Sequence, residues 1–154
     1  MLKKYLPLLV LLVIAGGCDK GKLDTRPSIE LKKINGTEFL LDSVTFQVPD
    51  LVITLEYNDK EGDLGGGIVT YIRNRTNLDP IENPAANDKI DTIRSILPDF
   101  PKTSTGEVDI RFPGGFLIED PRDNDTMFFQ IFVQDVAGNV SDTISTPQVV
   151  QRKF

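Results

Sequence analysis

Two short loops hold the side chains whose types and spacing could do chemistry. Asn58-Asp59-Lys60-Glu61-Gly62-Asp63-Leu64-Gly65 sets carboxylates at alternate positions, and Gln134-Asp135-Val136-Ala137-Gly138-Asn139-Val140-Ser141 adds a carboxylate and an amide four residues apart. Oxygen donors at alternate loop positions suit calcium, a hard cation that takes about six to eight oxygens. Asp59, Glu61, Asp63, Asp135 and Asn139 form the candidate calcium set. The first loop is not an EF-hand, because the twelfth position counted from Asp59 is Thr70, inside an expected strand, where that motif needs a bidentate glutamate. A purely structural reading competes: Asp and Asn form Asx turns, Gly62 and Gly138 supply positive φ, and Asn139 caps its hairpin.

Other chemistry is excluded by what the chain lacks. Its 154 residues include no histidine and a single cysteine. That removes Cys/His zinc sites, haem and iron–sulfur ligation, Ser-His-Asp and Cys-His catalysis, and any internal disulfide. Gly65-Gly66-Gly67 leads into a strand, with no Gly-Lys-Ser/Thr and no helix start after it, so it is not a phosphate loop. The 23 acidic residues could in principle supply a glycosidase pair, but there is no tryptophan and only three tyrosines to build a sugar platform. The expectation is a protein without catalysis and without a cofactor beyond calcium; a small carboxylate-dependent, glycan-active enzyme is the minor alternative.

The N-terminus supplies an address. Lys3 and Lys4 precede an apolar run from Tyr5 to Ala15, then Gly16, Gly17 and Cys18, which is the layout of a secretory signal peptide and is too short to span a bilayer that needs about 20 apolar residues. Ile14-Ala15-Gly16-Gly17-Cys18 resembles the lipobox of bacterial lipoproteins, with Ala15 where leucine is commonest. The resemblance implies that Cys18 carries diacylglycerol and becomes the first mature residue, with residues 1–17 removed. The loss of Lys3 and Lys4 leaves 15 basic against 23 acidic residues, a net charge of −8. So acidic a body has no hold on nucleic acid or anionic headgroups, and acyl chains must carry membrane attachment, each buried CH₂ contributing about 0.8 kcal/mol.

The elements that must position the two loops are strands. Residues 18–27 read as the acylated cysteine and a flexible tether, and 28–154 as one domain. Apolar residues alternate over Ile29–Ile34, Leu51–Tyr57, Ile68–Ile72 and Val108–Phe112, and short strands follow at Thr143-Ile144 and Gln148–Val150. Met127–Val133 is apolar except at Gln130 and reads as a central strand covered on both faces. Residues 75–88 read as a long loop, and Ile90–Leu97 fits either a helical turn or a bent edge strand. The pattern predicts an all-β, antiparallel sandwich. Together, Asp59-Lys60-Glu61-Gly62-Asp63-Leu64-Gly65 and Asp135-Val136-Ala137-Gly138-Asn139-Val140-Ser141 resemble turns of immunoglobulin-like domains in small Bacteroidota surface lipoproteins. That resemblance implies an immunoglobulin-like sandwich, whose connections bring these two loops to one end. Asp120, Asp123 and Asp125 then belong to the opposite end, as a solvated acidic turn.

One compositional signal remains. Asp42-Ser43-Val44, Asp91-Thr92-Ile93, Asp125-Thr126-Met127 and Asp142-Thr143-Ile144 resemble the O-glycosylation acceptor of exported Bacteroidota proteins, making Ser43, Thr92, Thr126 and Thr143 candidate sugar sites; equally, the triplets mark strand edges. The functional expectation is an outer-membrane, lipid-anchored binding or adaptor module with a protein partner in the envelope. The alternative is a pilin-like subunit that polymerises by strand exchange after a cut near Arg26.

Overall fold

The computed structural model describes residues 25–42, 44–45, 47–77, 90–118 and 123–153. Cys18, Ser43, Asp120 and most of the expected 75–88 loop lie outside them. Two sheets face each other. The smaller runs β1 (Ser28–Ile34), β3 (Leu51–Asn58), β6 (Thr105–Phe112). The larger runs β2 (Glu38–Leu40), β9 (Val149–Arg152), β7 (Asp125–Gln134), β4 (Ile68–Arg75), β5 (Ile90–Ile96), with β8 (Ile144–Ser145) also on β7. The order is that of an immunoglobulin-like sandwich whose first strand is divided between the sheets.

Alternation explains the core. Leu51, Ile53, Leu55 and Tyr57 of β3 are buried, and Met127, Phe129, Ile131 and Val133 of β7 face them from the other sheet. Each such side chain contributes about 1.5–3 kcal/mol of burial. Phe112 stacks on Phe129 with centroids 4.6 Å apart, and Tyr71 meets Phe112 edge-on at 4.7 Å. Tyr57 lies across Gly106, its cross-strand partner, where any Cβ would collide with the ring.

Several expectations change. Of the two readings left open for residues 90–97 the edge strand holds: among the described residues Ile90–Ile96 pairs only with β4. The sandwich is not wholly antiparallel: β2 runs parallel to β9, a pairing of three residues too short to leave a sequence pattern. Pro27, just before β1, is buried. Among the described residues β7 has a facing sheet on one side only; Phe128, Gln130 and Phe132 alternate onto the outer side and stay half-buried. Asp125 is not part of a solvated turn. It is fully buried and ion-paired to Arg75 at 3.0 Å and Lys153 at 3.7 Å, while Asp123 is exposed.

Candidate functional site

The end of the sandwich beyond β3 and β7 gathers the acidic loops. Val136 N–H donates to the Asp63 carbonyl at 3.2 Å and ties the loop of one sheet to the loop of the other. Gly67 permits this approach, because a Cβ there would run into the Gln134 and Leu64 carbonyls. Leu64 is buried beneath, and Asp59 N–H donates to the Ser104 carbonyl at 2.7 Å.

Three of the five expected ligands converge. Carboxylate oxygens of Asp59, Asp63 and Asp135 lie within 4.8 Å of one another. Asp59 is 0% and Asp135 4% exposed. Both do the turn work expected of them. Asp59 accepts the N–H groups of Glu61 and Asp63, and Asp135 accepts the backbone N–H and side-chain amide of Asn139 at 2.7 and 2.9 Å. Gly62 and Gly138 take φ of 66° and 94°. Asn139 thus adjoins the group through Asp135, whereas Glu61 is exposed, outside the three, and contributes its backbone N–H.

Asp63 is where the turn account leaves a remainder. Its Oδ1 is buried without a hydrogen-bond partner. Burial, then the charges of Asp135 and Asp59, hold its carboxyl above the ordinary range, and the N–H groups of Asp63 and Ala137 only partly offset this. Among the described residues no lysine or arginine ion-pairs with the three carboxylates. The group fits a divalent ion. Every carboxylate oxygen keeps a lone pair after one hydrogen bond, and carbonyls or water would complete the six to eight oxygens that calcium takes, a number these three side chains do not reach alone.

The sugar-acceptor positions separate. Thr92 and Thr143 are exposed, and Thr126 is half-buried near the start of β7, paired to Val150 and donating its N–H to Asn77 Oδ1.

A second surface went unread in the sequence. On the outer face of the larger sheet, register aligns Ile68, Thr70, Ile72 and Asn74 of β4 with Phe132, Gln130 and Phe128 of β7 and with Thr92, Arg94 and Ile96 of β5. No aspartate or glutamate stands among these ten residues. Ile68, Ile72, Phe128 and Phe132 are half-buried, and Ile96 is 79% exposed. The smaller sheet is the opposite: Glu30, Glu56 and Glu107 are cross-strand neighbours on its outer face, with Lys32 bridging Glu56 and Glu107.

No family model matches the chain, and no curated protein matches it. Solved structures similar to it include the CooA pilin subunit from enterotoxigenic Escherichia coli, at 9% identity over 83% of this chain and 97% of that chain, with a TM-score of 0.40. Another is AggA, the major subunit of aggregative adherence fimbriae type I from Escherichia coli, at 10% identity over 82% of this chain and 96% of that chain, with a TM-score of 0.30.

Proposed function

We propose that this protein is a lipid-anchored, non-catalytic binding module of the bacterial outer envelope, tethered through Cys18 and docking a protein partner on the outer face of its larger sheet. The observation that carries the reading is the acid-free apolar strip of Ile68, Ile72, Phe128 and Phe132 on a chain that has 23 acidic residues. Apolar and neutral polar groups with acidic charge excluded and arginine at the margin are the composition of an interface. In the same reading Asp59, Asp63 and Asp135 hold calcium, which fixes the two loops at one end and leaves the sheet face free. A photo-reactive residue at Gln130 in the native envelope should yield a discrete protein adduct, and one at Glu56 should not. Adducts from Glu56 alone, or from neither, overturn the choice of face.

Strand exchange is the second reading. It is favoured by β1 being an edge strand, two residues after exposed Arg26, that gives only Ile29 fully to the core. It predicts multimers that survive detergent until boiled; their absence from unboiled envelope extracts removes it.

A further inference from the structure

We propose that the outer edge of β5 is a homotypic docking edge, where a second copy of this chain adds its own β5 antiparallel and extends the larger sheet into one continuous sheet. This is separate from the partner-binding face and stands without it. Among the described residues the strand orders of the two sheets end in four outer edges, β1, β6, β2 and β5, with two-residue β8 set off the path on β7, and an open edge is a template for another strand unless it is blunted.

Three of the four are blunted. β1 has a register shift between Leu31 and Lys33, with Lys32 and Lys33 exposed beside it. β2 is only three residues long. β6 carries exposed Glu107 and Asp109, and an antiparallel copy centred on Val108 would set each opposite the other's like charge. β5 is the least blunted, with one exposed charge at mid-strand, Arg94. It pairs with β4 without a shift from Ile90 to Ile96, contains no proline or lysine, and ends in Ile96, a large apolar side chain 79% exposed. Among the described residues nothing pairs its outer edge.

The sequence of β5 is complementary to itself. A two-fold axis through Ile93 sets Thr92 opposite Arg94 and position 91 opposite Ser95, so no like charges stand directly opposite each other. Pairs related this way share a face, so the face that carries Ile68, Ile72, Phe128 and Phe132 continues across the junction through Thr92 and Arg94 of each copy. A seven-residue antiparallel pairing adds roughly six to eight backbone hydrogen bonds and little area, which belongs to a weak, reversible dimer. A sugar on Thr92 would stand on this edge and block it, so acceptor use and pairing exclude each other.

The test is sedimentation of the mature chain with Cys18→Ser, which keeps every described residue, made in a host that adds no sugar and followed from micromolar to millimolar concentration. Wild type should dimerise reversibly. Thr92→Lys places lysine opposite Arg94 twice per dimer and should weaken dimerisation roughly 2- to 30-fold. Thr92→Lys with Arg94→Glu should restore it, and Thr92→Glu should tighten it. Thr92 and Arg94 are both exposed, and unchanged melting confirms that the variants fold. A monomer up to millimolar concentration overturns the proposal, as does a dimer whose constant ignores the Thr92→Lys substitution and its charge swap.

Discussion

Replacing Asp63 by asparagine should move stability in opposite directions with and without calcium. Its carboxylate lies within 4.8 Å of two others. At 4.8 Å, each like-charge pair costs about 0.9 kcal/mol with water-like screening and about 3.5 kcal/mol at an effective dielectric near 20. Asp63 is partly exposed, so the lower part of that range applies, and Asp63→Asn should stabilise the metal-free protein by about 1–2 kcal/mol. In a chain of this size that is a rise of roughly 3–8 °C in melting temperature. The same change removes a calcium ligand. Wild type in calcium at about 100 times its dissociation constant should gain about 2.7 kcal/mol, whereas the variant should gain little. The pH dependence follows from the raised carboxyl of Asp63. A carboxyl raised in the folded state contributes stability below its unfolded value, near pH 4, and loses it as pH rises through the folded value. Metal-free wild type should show that loss, Asp63→Asn should not, and calcium should restore stability at neutral pH. Differential scanning calorimetry of both proteins in chelator and in millimolar calcium reads all four states. If wild type melts alike in both solutions, the metal is refuted; if the variant is also no more stable than wild type in chelator, so is the repulsion.

Three further outcomes are expected. Cys18→Ser should leave unprocessed precursor and abolish partition into the detergent phase, since the thiol is the sole acceptor in the chain; normal maturation and partition would refute lipidation. Asp125→Asn should destabilise by about 3–5 kcal/mol, because it strands the Arg75 guanidinium and Lys153 ammonium at a fully buried position, and chemical denaturation measures it. Intact mass of the chain from its native host should exceed the lipidated mass by whole sugars, and substituting exposed Thr143 by alanine should remove one set; a mass that lipid alone explains ends the glycan reading.

Strands were legible where one face meets the core, because burial forces period two on the sequence, as in Leu51, Ile53, Leu55 and Tyr57. The acidic end was legible for a related reason. Asp59 and Asp135 must satisfy the N–H groups of their own turns, and Gly62 and Gly138 must take positive φ, so local geometry writes these residues into the sequence. Glu61 shares the alternating pattern without sharing the site. Spacing in a loop reports which residues are near in sequence, and the turn around Gly62 sends Glu61 outward while holding Asp63 against Asp135. β2 could not be read, since its three residues are fixed by the parallel partner β9, more than 100 residues away in sequence.

The apolar run Met127–Val133 shows why a surface is harder to read than a core. Phe128 and Phe132 carry the same hydrophobicity as Phe129, which is fully buried, and a sequence pattern assigns all three to the interior. Only the pairing of β7 with β4 shows that 128 and 132 share a face with Ile68 and Ile72, and that no further layer of described residues covers it. Leaving two phenylalanines partly exposed forgoes a fraction of the roughly 1.5–3 kcal/mol that full burial of each would contribute. Polar residues on that face would spare the folded chain nothing in its core, since the inner set Met127, Phe129, Ile131 and Val133 is complete without them. The inner face thus accounts for the core, and the apolar strip on the outer face is what the proposed contact with another surface would use.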